Sequence, residues 1–365
     1  MQLKFNKNWN SLLKKHGVKD KVFAVGVSGG ADSLALVLLL HKWAVNAGKK
    51  IVALTVDHGL RKESGKEAEY VAKCMKKFGI EHHILEWVGK KPESGMEEAA
   101  RTARYDLIEK WCAKNKVKIL ATGHHKFDQA ETFLMRLQRG SGVSGLAGML
   151  EITPRGNIKI MRPLLPFMPI ELKNFLADEK VKWIEDPHNQ MDDFLRVRIR
   201  KLIPFLDKEI GLSVDKMVDT AARMARARDY LESVVAKFNV EFISCFGKVV
   251  CFSRKEFLAL HEEVGLRILA FWLQKTGSKD YSPRMENLER LWQSLAQAKF
   301  VSSTLSDCEV MIFQGKIWIV PELKKRAVLP KKEWENFLKK NPKYKNIKMP
   351  YKARLFLVLN DTILV

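Results

Sequence analysis

The run Ser28-Gly29-Gly30-Ala31-Asp32-Ser33 combines two glycines, two hydroxyls and a carboxylate in six positions. Glycines let a backbone turn tightly and approach a ligand, and free N–H groups where a helix begins attract an anion. Asp32 adds a hard oxygen ligand of the kind magnesium takes when it bridges phosphates. The chemistry implied is phosphate binding. No G-x-x-x-x-G-K-[ST] pattern is present, so the loop lacks the lysine of a Walker A site. Gly140-Ser141-Gly142-Val143-Ser144-Gly145 has G-x-G-x-x-G spelling but follows a helical pattern instead of a strand, and is expected to be a flexible loop.

Three further groups carry chemistry. Val56-Asp57-His58-Gly59-Leu60-Arg61 closes an apolar run, where an open sheet would hold a base or ribose. Arg101 and Arg104 are three apart on one face of a helix, and both are phosphate-sized donors. Thr122-Gly123-His124-His125-Lys126-Phe127-Asp128-Gln129-Ala130-Glu131-Thr132 follows another apolar run. There Asp128 is expected as a helix N-cap with Glu131 three residues on, and two carboxylates beside two histidines suggest a site.

The elements that position these groups follow from periodicity. Runs 21–27, 51–56, 82–87 and 118–122 are β-rich, and each precedes a segment with apolar residues at helical spacing. This alternation predicts a doubly wound α/β fold with a parallel sheet over residues 1–210. Residues 211–300 read as a helical domain, with helices over 221–238, 255–275 and 284–298. Residues 301–365 read as a small basic module containing a hairpin about Gln314-Gly315.

Composition narrows the partner. The 365 residues hold 64 Lys+Arg against 42 Asp+Glu, a net charge of +22, which favours a polyanion such as RNA. Residues 324–354 alone carry twelve basic and two acidic side chains. No apolar run is long enough to cross a bilayer, and no signal-peptide pattern opens the chain, so a cytoplasmic location is expected. The five cysteines form no C-x-x-C pair and fall at no metal-ligand spacing with histidine.

The loop at Ser28 resembles the S-G-G-x-D-S loop of the N-type ATP pyrophosphatases, which cut ATP between its α and β phosphates. Nearly all of residues 20–205, and more weakly the helical part and Thr304-Leu305 to Glu322, resembles the tRNA(Ile)-lysidine synthetases. D-H-G-L-R at Asp57, A-A-R-x-x-R-Y at Ala99, H-H-x-x-D-Q-A-E-T at His124, R-x-S-G at Arg139 and Arg162-Pro163-Leu164-Leu165 occur in that family's order. They are followed by Trp183, Glu185-Asp186-Pro187-His188-Asn189 and Arg196-Val197-Arg198-Ile199-Arg200. That family adenylates the C2 carbonyl oxygen of the wobble cytidine of an isoleucine tRNA, and the ε-amine of free lysine then expels AMP.

The resemblance implies that Ser28, Gly29, Gly30, Ala31, Asp32 and Ser33 hold the ATP phosphates, with Asp32 on Mg2+. Asp57, Arg104 and His124 would contact the nucleotide or its developing charge. Asp128 and Glu131 would receive lysine, and Arg196, Arg198 and Arg200 would face the RNA. Its partners would be tRNA(Ile), ATP and L-lysine, with no membrane; it leaves the choice between monomer and homodimer open. Phe127, Val197 and His188 depart from the family's usual residues. The alternatives are a tRNA thiolase of the same superfamily, which would carry sulfur on cysteine, a catalytically silent RNA-binding homologue, and a small-molecule amide synthetase, which the charge of +22 disfavours.

Overall fold

The computed structural model of the chain describes residues 1–60, 64–89, 91–92, 94–185, 195–279, 281–323 and 329–361. Arg61, the segment 186–194 with His188, and the basic residues 324–326 lie outside them. Two compact units are present, Met1–Arg228 and Asp229–Val365.

In the first unit α1 (Gln2–Lys15) precedes a repeated strand-helix pattern: β1 (Val22–Gly26), α2 (Ala31–Ala47), β2 (Lys50–Asp57), α3 (Ser64–Lys77), β3 (Glu81–Glu86), α4 (Met96–Lys114), β4 (Ile119–Ala121) and α5 (Lys126–Gln138). A short α6 (Val143–Leu146), β5 (Ile152–Arg155), β6 (Ile158–Met161), α7 (Pro169–Asp178) and α8 (Leu195–Ile210) follow. The sheet order is β3-β2-β1-β4-β6-β5. All pairings are parallel except β5 with β6.

Strand residues alternate between two cores, because successive side chains point to opposite faces. Phe23, Val25, Ile51, Ala53, Ile119 and Ala121 pack with α1, α2 and α7, whereas Ala24, Val52, Leu54 and Leu120 pack with α4. α2 is buried nearly all round, from Leu34 to Leu40, which fits a helix enclosed between the sheet and other helices.

The β5–β6 hairpin has no counterpart in the sequence expectation. Pro154 in β5 suits an edge strand, since it offers no N–H to a further neighbour. The glycine-rich 140–145 segment, expected to be flexible, contains α6, and Arg136 Nη1 fixes the turn after it through Gly145 O at 2.7 Å and Gly148 O at 2.8 Å.

α9 (Val214–Phe242) leads into the second unit, which holds β7 (Ser244–Phe246), β8 (Val249–Ser253), α10 (Arg254–Leu258), α11 (Glu262–Thr276), α12 (Met285–Ala296), β9 (Ser302–Leu305), β10 (Cys308–Phe313), β11 (Lys316–Pro321), α13 (Lys331–Lys340) and α14 (Tyr351–Asp361). The single helix expected over 255–275 is two, because His261 caps α11 by accepting the Glu263 N–H at 3.2 Å.

β10 and β11 form the hairpin expected about Gln314-Gly315, and they join β7 and β8 in one antiparallel sheet, β7-β8-β11-β10-β9. One face, with Val250, Phe252, Ile317 and Ile319, packs on α11 and α12. The other, with Val249, Cys251, Trp318 and Val320, packs on Phe337 and Tyr344. Segments read separately as a helical domain and a β-containing module therefore share this sheet. Among the described residues, no helix is long and apolar enough to cross a membrane.

Candidate active site

The site is assembled at the carboxyl ends of the parallel strands, where an open α/β sheet presents its loops. After β1 the chain turns through Ser28 and Gly29 into α2, whose N-cap is Gly30. Ala31, Asp32 and Ser33 thus form the first helical turn, with backbone N–H groups that have no partner inside the helix. Ser33 Oγ holds the turn closed: it donates to Gly30 O at 3.0 Å and accepts the Ser28 N–H at 3.1 Å. Gly29 has φ +87°, and a Cβ there would lie 2.8 Å from Ile184 Cδ1 and 3.2 Å from Val71 Cγ2. The Ile184 N–H donates to Gly29 O at 3.0 Å, so residues 182–184 back the loop, a role that no local pattern in the sequence signals.

The β4 loop meets the first turn of α2 at Gly123, where a Cβ would lie 3.2 Å from the Asp32 carbonyl group. Asp128 was expected to be the N-cap of α5; the structure places the cap one turn earlier, at His125. Its Nδ1 accepts the Asp128 N–H at 3.2 Å, and Asp128 Oδ2 accepts the His125 N–H at 2.9 Å. The same ring also reaches the first turn of α2: Nε2 is 3.5 Å from Asp32 Oδ2. Burial lowers the His125 pKa, but the Asp32 hydrogen bond and the charges of Asp128, Asp32 and Glu131 outweigh it, and the net direction is upward.

His124 is different. Burial and the Arg162, Arg196 and Arg101 charges outweigh Asp128 and pull it down to about 4. It is therefore a neutral hydrogen-bonding group at pH 7, with Nδ1 3.0 Å from Thr122 Oγ1.

Glu131 lies one turn beyond Asp128 and is fully buried. α8 docks on α5 through Ala130, Phe133, Ile199 and Ile203, with Phe127 packed against that cluster. This brings two arginines, one helical turn apart, onto the carboxylates. Arg196 Nε donates to Glu131 Oε2 at 2.5 Å and its Nη2 to Asp128 Oδ1 at 3.0 Å, while Arg200 Nε donates to Glu131 Oε1 at 2.6 Å. Arg198, between them, is exposed, and Val197 is buried.

Asp57, at the end of β2, accepts the Gly59 N–H at 2.9 Å. Arg104 Nε reaches His58 Nε2 at 3.4 Å. Arg101 does not join Arg104 there; its guanidinium lies 5.4 Å from the centre of the Tyr105 ring. Burial, the Arg104 charge and Lys91 outweigh Asp57 and bring His58 to about 4, so it too is neutral.

Three of the five cysteines are poorly suited to carry sulfur. All five are free thiols, Cys112, Cys251 and Cys308 are buried, and burial pushes the Cys112 thiol up to about 11. The thiolate that would accept sulfur is disfavoured there.

Comparison with known proteins agrees with this architecture. A family model described as a PP-loop domain matches residues 1–206. The tRNA(Ile)-lysidine synthase of Wolbachia pipientis wMel is 37% identical over 306 residues, which is 82% of this chain and 70% of that one. That of Ruegeria pomeroyi is 35% identical over 292 residues, 80% of this chain and 69% of that one. Among solved structures, a U34-tRNA thiolase from Methanococcus maripaludis superposes with a TM-score of 0.52 at 19% identity, covering 61% of this chain and 79% of that one, a likeness of fold alone. A phosphate loop backed by its own sheet, a carboxylate pair at the next strand and this degree of identity over most of the chain lead to one assignment: the chain belongs to the tRNA(Ile)-lysidine synthase family of PP-loop proteins, ATP-using ligases that form a C–N bond.

Proposed function

We propose that the chain adenylates the C2 carbonyl oxygen of the wobble cytidine of tRNA(Ile) with a CAU anticodon, and that the ε-amine of free L-lysine then attacks C2. Lysidine, AMP and pyrophosphate result, and the anticodon reads AUA in place of AUG. The chemistry requires two sites that touch. A pyrimidine carbonyl oxygen leaves poorly until it is an AMP ester, and the amine attacks only when neutral, so a carboxylate must hold it and accept its proton.

The observation that carries this reading is the His125 imidazole, with Asp32 of the phosphate loop on one ring nitrogen and the Asp128 backbone N–H on the other. Nucleotide and amine sites then share one wall. In this reading residues 28–33 cradle the phosphates, Asp57 meets the ribose side of the nucleotide, and Arg104 offsets charge on the phosphates. Asp128, part-exposed, receives the amine. Glu131, closed by two guanidinium groups, holds Arg196 in place beside it. Arg198 faces the RNA.

The described residues contain no group of three or more His, Cys, Asp or Glu side chains suited to a metal. One carboxylate, Asp32, at a phosphate loop fits Mg2+, which commonly takes its remaining ligands from phosphates and water. When bound, the ion would neutralise phosphate charge. Residues 1–210 would carry the catalysis, and the basic residues beyond them would hold the tRNA in the cytoplasm, where ATP and lysine are available.

The test is Asp32→Ala. ATP–pyrophosphate exchange in the presence of tRNA(Ile) should fall by roughly a hundredfold or more, the scale of losing a principal electrostatic group, while tRNA affinity stays within about twofold. Normal exchange by this variant would remove Asp32 from the site.

A further inference from the structure

Arg162, the first residue after β6, is only 8% exposed. Its Nη1 donates to Leu150 O and to Thr153 Oγ1, both at 2.8 Å, and its buried Nε has no partner. Among the described residues, no carboxylate forms an ion pair with it. The titratable groups that bear on it are the Tyr105 phenol and the Arg101 guanidinium, and burial lowers its own pKa. A buried guanidinium without a counter-ion is costly to keep, so the arrangement is suited to an oxyanion that arrives during the reaction.

The sheet order decides which oxyanion. β6 lies beside β4, and the Thr122 N–H donates to Met161 O at 3.0 Å, so Arg162 flanks the loop that carries His124 and Asp128. The phosphate loop lies on the far side of β4, at β1, and a nucleotide running from it toward Asp57 on β2 runs away from Arg162. His124 feels the charges of both Asp128 and Arg162, which places the three in one neighbourhood. With Nη1 committed to Leu150 and Thr153, Nη2 is the donor left to meet an anion on the side of this loop.

We propose that Arg162, assisted by Arg101, binds the α-carboxylate of the amino acid whose ε-amine is held at Asp128. The inference rests on lysine being the second substrate, and it makes Arg162 the residue that separates lysine from a plain alkylamine. Arg–carboxylate pairing is strong and directional, so loss of either partner is felt fully.

The experiment compares L-lysine with cadaverine, which has the same primary amine but no carboxylate, as nucleophile toward adenylated tRNA(Ile). The full chain, its Arg162→Gln variant and its Arg101→Gln variant are tested. The parent should favour lysine by roughly a hundredfold or more, as a site built around a polar group does against an analogue lacking it. Arg162→Gln should lower kcat/KM for lysine by about tenfold or more, mainly through KM, while cadaverine changes by less than about threefold. Arg101→Gln, at an exposed position that needs no repacking, should move the preference in the same direction, which keeps the test open if Arg162→Gln folds poorly.

Equal loss with both amines, or a parallel loss of pyrophosphate exchange or tRNA binding, would assign Arg162 to the nucleotide, the RNA or the fold and overturn the proposal. A parent that uses cadaverine as well as lysine would also overturn it. A parent that forms the adenylate but incorporates no lysine would instead overturn the underlying choice of substrate.

Discussion

Arg196 Nε lies 2.5 Å from Glu131 Oε2, and that carboxylate, fully buried, is closed on its other oxygen by Arg200 at 2.6 Å. A buried carboxylate held this way is committed to its partners, because removing one leaves charge in a medium that solvates it poorly.

Glu131→Gln and Arg196→Ala should therefore both destabilise the first unit by more than a lost helix cap would. Breaking a buried pair costs about 3–5 kcal/mol, and the partial exposure of Arg196 together with the remaining Arg200 reduces the expectation to roughly 1–3 kcal/mol. Urea unfolding measures this. Single-turnover assays that follow AMP transfer and lysine incorporation separately should show adenylate still forming in Glu131→Gln while the KM for lysine rises. Parent-like stability together with parent-like lysine incorporation would leave Glu131 with no role in either.

The histidines set a pH dependence of opposite signs. His124 and His58, each lowered to about 4, bind a proton in the unfolded chain before they do in the folded one. Their stabilising contribution is complete above pH 6.5 and is lost as the pH falls from 6.5 toward 4. His125, raised, contributes stability below pH 6.5 that is lost as pH climbs through its folded value. Unfolding free energies measured from pH 4 to 8 should show a shallower acid-side fall in His124→Asn, and in His125→Asn a loss of the decline above 6.5. Unchanged slopes in both would contradict the burial assigned to these rings.

The lysines of the second unit bear on affinity. Lys331, Lys332, Lys339 and Lys340 lie on α13, and all are exposed. If each neutralises one phosphate, replacing all four with Gln should reduce the slope of log K against log salt by about 0.7–0.9 per contact, or roughly 3 in total. Filter binding of tRNA(Ile) across salt concentrations checks it, and an unchanged slope would mark α13 as a solvated face.

Local pattern was sufficient for β1 to β4, for the phosphate loop and for the hairpin of β10 and β11, because each depends on neighbours within a few residues: alternation along a strand, glycine at a turn, a helix start after a strand. β7 and β8 were not legible. They span three and five residues inside a largely helical stretch, and Val249 to Phe252 is apolar throughout because both sheet faces are covered, so it shows no alternation to read.

The candidate site divides the same way. Asp32, Asp128 and Glu131 could be named as candidates from residue type and spacing, yet the partners of each were decided by tertiary contacts. The cap is His125 instead of Asp128, and the same ring meets Asp32, a residue distant in the chain. Arg196 and Arg200 turned inward because apolar residues of α8 dock on α5, pairing groups 65 and 69 residues apart. The placement of Arg162 beside the loop that carries His124 came from strand order. Sequence determines which groups can ionise or donate, but burial and partner choice arise only when distant segments close on one another, and those set the charge state and reach of every group in the site.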